Sequence, residues 1–87
     1  YYNSIKFIGG FIMESDRPLD ALNAARNKKV LVELKNGKQV IGTLKAFDIH
    51  INTVLNDAEE LEDNQIKRKL GKVFLRGDTI ILISPTE

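Results

Sequence analysis

Residues 30–44 read VLVELKNGKQVIGTL, and this stretch decides the fold. Apolar residues alternate with other residues on both sides of the central Asn36-Gly37 pair, a pattern that is typical of β-strands. Asn-Gly between two such runs is the strongest short-range signal for a β-hairpin. Gly42, inside the second run, indicates a sharp bend or a close approach by another backbone segment. The stretch therefore predicts an antiparallel hairpin whose second strand bends strongly.

The hairpin belongs to a longer succession of short strands. The second strand extends over about 39–48, and a polar turn and a glycine turn separate the strands that come after it. The later runs with a strand pattern are at about 52–61, 65–76 and 79–83. Five short sequential strands, spanning about 30–83, predict an all-β domain built as a small, strongly bent antiparallel barrel rather than a parallel sheet.

One helix precedes the strands. Asp16 can cap a helix, Pro18 is tolerated in a first turn, and Asp20 suits the positive end of the helix dipole. Alanines and leucines then continue the helical pattern, so we expect a helix at about 17–26. A helix this short needs a surface on which to dock.

The last strand is apolar on both faces. Ile80–Ile83 has no polar face, and a lone edge strand of this kind favours aggregation. Either this strand lies at the centre of the sheet, or another subunit covers its edge and outer face. Val73–Leu75 in the fourth strand has the same character. The two strands together indicate a subunit interface.

The composition excludes several classes of function. The 87 residues form one small domain, and 13 basic against 12 acidic side chains leave a net charge of +1. Global charge therefore cannot drive polyanion binding. Cysteine is absent, and His50 is the only histidine, so thiolate sites and multi-histidine zinc sites are excluded. No glycine-rich phosphate loop is present. We expect neither catalysis nor a cofactor.

Two charged runs have simple structural explanations. The carboxylates of Asp57, Glu59 and Glu60 could attract a divalent ion, but a solvated strand edge explains them more simply. The basic run Lys67–Lys69 faces the acidic run Glu59–Asp63 on the preceding strand. Pairing of charges across the two strands accounts for both runs without an RNA-binding patch.

The first twelve residues differ from the rest of the chain. They are apolar and aromatic, with Lys6 as their one charged side chain, and Met13 directly follows them. They lack the basic start and long apolar block of a signal peptide and are too short for a membrane span. We expect residues 1–12 to be a non-native extension or a flexible arm, and residues 13–87 to form a single domain.

Two turns carry the residues that are suited to binding. Asp48–Asn52 and Arg76–Asp78 both join antiparallel strands, so both can lie at the same end of the domain. The flat faces of His50 and Arg76 can sandwich a nucleobase, and the amide of Asn52 can read a base edge. Alternatively, His50 and Asn52 only form the turn, and Arg76 and Asp78 form a local ion pair.

Several of these stretches resemble the motifs of one family. Residues 30–60 resemble the first Sm motif, Lys72–Asp78 resembles the second, and Arg17–Asp20 is similar to the helix start of archaeal Sm-like proteins. The resemblance implies the Sm fold, an N-terminal helix on a bent, SH3-like five-stranded barrel. It also implies a closed ring, a heptamer in the archaeal branch, in which the fourth strand of one subunit pairs with the fifth strand of the next.

The same resemblance implies roles for individual residues in binding uridine-rich single-stranded RNA around a central hole. His50 and Arg76 would stack on a uracil, and Asn52 would bind its polar edge. Asp78 would add a contact, through its backbone N–H, where Gly77 allows a close approach. Behind them, Asp48 would hold Asn52 or Arg76 in place. A possible secondary RNA contact would use Arg17 and Phe47.

The resemblance implies a cytoplasmic homo-oligomer that acts as a scaffold or chaperone in RNA processing. It implies neither an enzymatic activity nor a metal, cofactor or membrane partner. Two other classes remain open from the residues alone. One is a structural or protein-interaction ring without a functional nucleotide pocket, and the other is a monomeric small-barrel adaptor.

Overall fold

The computed structural model describes residues 17–86, together with the backbone of two short strands, β1 (Lys6–Ile8) and β2 (Phe11–Met13). These two strands pair antiparallel, with Phe7 opposite Ile12. The remainder of residues 1–12 lies outside the described residues. The assignment of this segment as a non-native extension or a flexible arm therefore stays a prediction.

The helix that precedes the main sheet is α1 (Pro18–Ala24), slightly shorter than expected. Its N-cap is Arg17, which makes no side-chain capping hydrogen bond, rather than Asp16, which lies outside the described residues. The helix ends at Ala24, with Ala25 as its C-cap, and two residues later Asn27 adopts a φ of 67°, a left-handed conformation that asparagine tolerates. Within residues 17–86, no helix has the length and apolar character needed to cross a membrane.

The five predicted strands are all present and form one antiparallel sheet. Their order across the sheet is β6-β5-β4-β3-β7, so the last strand in sequence pairs with the first strand of the hairpin. The strands are β3 (Lys29–Leu34), β4 (Gln39–Phe47), β5 (Thr53–Glu62), β6 (Gln65–Leu75) and β7 (Ile80–Pro85).

The sequence predicts a sharp bend or a close backbone approach at Gly42, and the structure shows the close approach. The pairing register between β4 and β5 shifts between Ile41 and Thr43. A Cβ atom at Gly42 would lie 3.0 Å from the carbonyl oxygen of Asn56 and 3.1 Å from the Cα of Ala58. Glycine therefore allows β5 to approach β4 closely at this point, where a larger residue would push the two strands apart.

A small core lies under the helix and between the curved strands. Alternate residues of β3, β4 and β5 point into it, and α1 docks on it through half-buried Leu22 and the following Ala25. The buried apolar residues are Ala25, Val30, Val32, Val40, Leu44, Leu55 and Ala58. Because this core is limited, apolar side chains of β6 and β7 stay at its margin rather than inside it.

The strands β6 and β7 form the two edges of the sheet. Of the two alternatives for the last strand, the structure therefore places it at an edge and not at the centre. Large apolar side chains are exposed on both strands, including Phe74 on β6 at 76% and Ile81 and Leu82 on β7. Exposed apolar edges of this kind favour strand pairing with another chain.

Charges pair across β5 and β6, as predicted. Arg68 donates from Nε to Oε1 of Glu60 at 2.9 Å, and Lys67 lies 3.5 Å from Glu62. The Glu60 side chain is only 6% exposed, and this hydrogen bond is the main reason that its pKa is lowered. Among residues 17–86, the acidic side chains form no group of three or more suited to a metal ion.

We expect the Glu60→Gln variant to unfold at a lower urea concentration than the unmodified protein at neutral pH. We also expect the stability of the variant to fall less than that of the unmodified protein when the pH is lowered. Because the folded pKa lies below its ordinary value of 4.5, the carboxylate stabilises the fold above that value. This stabilisation is lost as the pH falls through the folded pKa. Urea unfolding between about pH 6 and about pH 3 measures the effect. Identical acid profiles for the two proteins would contradict this assignment.

Candidate nucleic-acid interface

The site is built from two turns at one end of the sheet. The turn between β4 and β5 is closed by hydrogen bonds between Asp48 N and Asn52 O at 3.2 Å and between Ile51 N and Asp48 O at 3.0 Å. The turn between β6 and β7 contains a short 3-10 helix, Gly77–Thr79. There, the backbone N–H and the hydroxyl of Thr79 both donate to the carbonyl of Arg76.

The two turns are in direct contact, and Gly77 makes this contact possible. A Cβ atom at Gly77 would overlap the backbone carbonyl oxygen of His50 and lie 2.8 Å from the carbonyl carbon of Ile51. Both obstacles are backbone atoms, which cannot rotate away. A side chain at this position would force the two turns apart.

Asp48 organises the first turn. Its Oδ1 accepts the backbone N–H groups of His50 at 2.8 Å and of Asn52 at 3.1 Å, and its Oδ2 accepts from Nδ2 of Asn52 at 2.9 Å. The hydrogen bond from the Asn52 side chain, followed by the two backbone N–H groups, lowers the pKa of Asp48. The carboxylate is therefore charged at neutral pH and positions Asn52. Of the two residues that Asp48 was expected to hold, the structure places it on Asn52.

Asn52 joins the two turns. Its Oδ1 accepts the backbone N–H of Gly77 at 2.8 Å, while its Nδ2 donates to Asp48. These two bonds determine which end of the amide is oxygen and which is nitrogen. An amide has two donor hydrogens and two acceptor lone pairs, so one of each remains available on Asn52. This exposed side chain therefore presents a donor and an acceptor in a defined order.

Arg76 and Asp78 form the ion pair that the sequence offered as an alternative explanation. Arg76 Nη2 lies 3.0 Å from Asp78 Oδ2, and the arginine side chain is 80% exposed. Exposed pairs of this kind contribute little to stability. The pair orients the guanidinium without removing it from the surface, so pairing and ligand binding are compatible.

The predicted residues of the two turns line one open cavity of about 410 Å³. This volume is in the range of small-molecule and nucleotide pockets. The lining residues are His50, Asn52, Arg76, Gly77 and Asp78. Ile51, between His50 and Asn52 in the first turn, adopts a φ of 62°, a left-handed conformation that is rare for a β-branched residue and has no signal in the sequence.

Arg17 and Phe47, the two residues of the predicted secondary RNA contact, lie at the N-cap of α1 and at the end of β4. Phe47 is half-buried, and the guanidinium carbon of Arg26, from the segment that follows α1, lies 5.7 Å from the centroid of its ring. The sequence did not indicate this contact between Arg26 and Phe47. The use of Arg17 and Phe47 as a secondary RNA contact stays a prediction.

Comparisons with known proteins match the whole region that forms this site. The family model described as the LSM domain matches residues 20–85. The snRNP Sm-like protein of Archaeoglobus fulgidus is 49% identical over 69 residues, which cover 79% of this chain and 90% of the relative.

Two solved structures show the same fold. One is the Sm protein of Pyrococcus abyssi in complex with a uridine heptamer, which is 45% identical in sequence and superposes with a TM-score of 0.78. The match covers 82% of this chain and 100% of the chain of that relative. The other is a heptameric archaeal Sm protein, which is 37% identical in sequence and superposes with a TM-score of 0.74. This match covers 78% of this chain and 98% of the chain of that relative. By sequence and by fold, this chain belongs to the LSM domain family of Sm-like proteins.

Proposed function

We propose that this protein forms a closed homo-oligomeric ring that binds uridine-rich single-stranded RNA around its central opening. In this role it serves as a scaffold or chaperone in RNA processing. The observation that carries the proposal is the cavity at the two turns, which is lined together by the imidazole of His50, the oriented amide of Asn52 and the guanidinium of Arg76. The Pyrococcus abyssi relative bound to a uridine heptamer supports the choice of ligand.

The cavity suits a single unstacked base. His50 and Arg76 offer flat groups, and both are exposed at the lining of the cavity. A base that enters between them gains stacking on both faces, which is worth roughly 1–3 kcal/mol per base. The Arg76–Asp78 pair keeps the guanidinium at the cavity during this step.

The oriented amide of Asn52 accounts for the choice of uracil. Uracil presents an N–H donor beside a carbonyl acceptor, which matches the remaining lone pair and the remaining N–H of Asn52. Cytosine presents the opposite order on the same edge. Rotating the amide to suit cytosine would break the bonds to Gly77 and Asp48, so cytosine binding leaves polar groups unpaired.

The two apolar edge strands support the ring. Pairing of β6 in one subunit with β7 in the next would cover Phe74, Ile81 and Leu82, the exposed apolar side chains of these edges. The solved relatives that are heptamers support seven copies. In such a ring each subunit contributes an equivalent cavity, which we place around the central opening.

Repetition explains how a nearly neutral chain can hold a polyanion. One stacking site is weak, but each further nucleotide of a bound strand meets its site at high effective concentration. A ring also gathers the exposed Arg76 side chains around one opening, which makes that region positive without a large net charge. We assign no catalytic step to this site, and we place its activity in the cytoplasm, where a ring of this kind would meet transcripts.

A titration with heptauridine and heptacytidine at two salt concentrations tests this proposal. We expect the protein to bind heptauridine more tightly than heptacytidine at both salt concentrations. We also expect the affinity to depend only modestly on salt, because stacking supplies much of it. Equal binding of the two oligonucleotides would overturn the choice of uracil. An assembled ring that binds neither would instead indicate a structural or protein-interaction role.

A further inference from the structure

Thr53 is a buried polar residue next to the proposed pocket. It begins β5 and directly follows Asn52, and only 2% of its surface is exposed. Its hydroxyl donates to the backbone carbonyl of Ile51 at 2.6 Å. Thr53 is not one of the five residues that line the cavity. Its hydroxyl therefore acts on the pocket only through the backbone of the first turn.

The position of this hydroxyl is closely determined. Threonine is branched at Cβ, so its side chain has few accessible rotamers, and a buried hydroxyl that loses its partner cannot turn to water instead. At 2.6 Å the two oxygens lie at hydrogen-bond distance, whereas a methyl group and a carbonyl oxygen need about 3.3 Å or more. A valine of the same shape would therefore lose the bond and also push the Ile51 carbonyl away.

The carbonyl that Thr53 binds belongs to a residue with an unfavourable backbone conformation. Ile51 has a φ of 62°, and such a conformation persists in a β-branched residue only where the surroundings determine it. Asp48 binds the N–H of Ile51 through its backbone carbonyl and the N–H of Asn52 through its side chain. Thr53 adds the bond to the Ile51 carbonyl, so that polar groups on both sides of this residue are held in place.

The same backbone forms the contact surface between the two turns. A Cβ atom on Gly77 would lie 2.8 Å from the carbonyl carbon of Ile51, so the glycine packs directly on this peptide group. The next residue, Asn52, accepts the N–H of Gly77 at 2.8 Å. A movement of the Ile51 carbonyl therefore displaces both the surface under Gly77 and the amide of Asn52 that lines the cavity.

We propose that Thr53 is a positioning residue for uridine binding, because its hydroxyl holds the Ile51 carbonyl and thereby keeps Asn52 in the orientation that meets uracil. This inference rests on the proposed function. Thr53 is buried and acts without touching the RNA. A residue that merely filled the core would affect stability and leave the choice between bases unchanged. Loss of the hydroxyl should instead reduce the preference for uridine over cytidine.

Binding of heptauridine and heptacytidine to three variants of the full chain tests this inference. Thr53→Val removes the hydroxyl and keeps the shape, whereas Thr53→Ser keeps the hydroxyl and removes a methyl group. Thr86→Val is the matched control, because the Thr86 hydroxyl also donates to a backbone carbonyl, that of Lys29 at 3.1 Å. Thr86 follows β7, at the end of that strand remote from the second turn.

We expect Thr53→Val to bind heptauridine about fivefold more weakly per site, as for the loss of one ordinary hydrogen bond. Its preference for heptauridine over heptacytidine should fall by a similar factor. Thr53→Ser and the Thr86→Val control should keep both the affinity and the preference. Rescue by serine identifies the hydroxyl, and not the volume of the side chain, as the group that matters.

A double-mutant cycle asks whether the hydroxyl acts through the backbone of Ile51. Glycine adopts the left-handed conformation without strain, so Ile51→Gly needs less support from Thr53. Thr53→Val should therefore cost less heptauridine affinity in the presence of Ile51→Gly than in the otherwise unmodified protein. Equal losses in the two backgrounds would show that Thr53 does not act through Ile51, and the assignment would be wrong.

The outcomes distinguish this inference from the proposed function. If the unmodified protein does not bind heptauridine, the proposed function fails. If it binds heptauridine but Thr53→Val behaves as Thr86→Val does, or Thr53→Ser loses the preference as well, Thr53 is not a positioning residue. Should Thr53→Val not assemble, Thr53→Ala is compared with Thr53→Ser in its place, because alanine removes the hydroxyl without placing a methyl group against the carbonyl.

Discussion

Replacing Asn52 with alanine is expected to weaken heptauridine binding by at least about tenfold per site, equivalent to about 1.4 kcal/mol. The substitution removes the donor and acceptor that meet the uracil edge. It also removes the side chain that joins Gly77 to Asp48. Because nothing then distinguishes the uracil edge from the cytosine edge, the preference for heptauridine over heptacytidine should disappear. Fluorescence anisotropy with both oligonucleotides measures the two effects together.

Asn36→Ala is the matched control for this variant. Asn36 also accepts a backbone N–H, that of Lys38 at 2.9 Å, but it does so in the hairpin turn between β3 and β4. Removing this bond costs some stability without touching the cavity. We expect Asn36→Ala to keep both the affinity and the preference for uridine. If Asn52→Ala binds as this control does, the pocket is wrongly assigned.

The variant Gly77→Ala is expected to abolish oligouridine binding and to lower the melting temperature by several degrees. The new methyl group overlaps the His50 carbonyl, so the two turns must separate and the bond from Gly77 N to Asn52 breaks. Breaking one such bond and straining the two turns costs on the order of 1–3 kcal/mol. In a domain of this size, each kcal/mol lowers the melting temperature by about 4–8 °C.

Gly37→Ala separates the effect of forcing the two turns apart from a general effect of replacing glycine. Gly37 has a φ of 86°, and a Cβ atom at that position meets nothing within 4 Å. Alanine there is strained only by the left-handed backbone, at a cost of about 1 kcal/mol. We expect this control to melt somewhat lower and to bind heptauridine normally. Loss of RNA binding in both variants would mean that the close approach of the turns at Gly77 is not what matters.

Much of the fold could be predicted because its signals are local. The Asn36-Gly37 turn and alternating apolar residues specify the first hairpin, and Gly42 correctly marks the place where the backbone of β5 approaches β4 closely. The position of the last strand could not be predicted this way. Its pairing with β3 joins residues about fifty positions apart, and an apolar run alone fits a central strand as well as an edge strand.

The candidate site also combines features that the sequence predicts with features that it does not predict. The residue types in the two turns point to a nucleotide pocket, and the structure places all five in one cavity. The bond from Gly77 N to Asn52 and the placement of Arg26 over Phe47 depend on distances between segments, which no spacing in the sequence encodes. The left-handed conformation of Ile51 follows from the hydrogen bonds of the turn, against the preference of the residue itself.

The most direct test of a ring of uridine pockets is a native mass spectrum of the protein with and without heptauridine. We predict an assembly of seven chains, as in the heptameric relatives, that gains the mass of heptauridine and not that of heptacytidine under the same conditions. A spectrum of single chains only, or an assembly that takes up both oligonucleotides equally, would contradict this account.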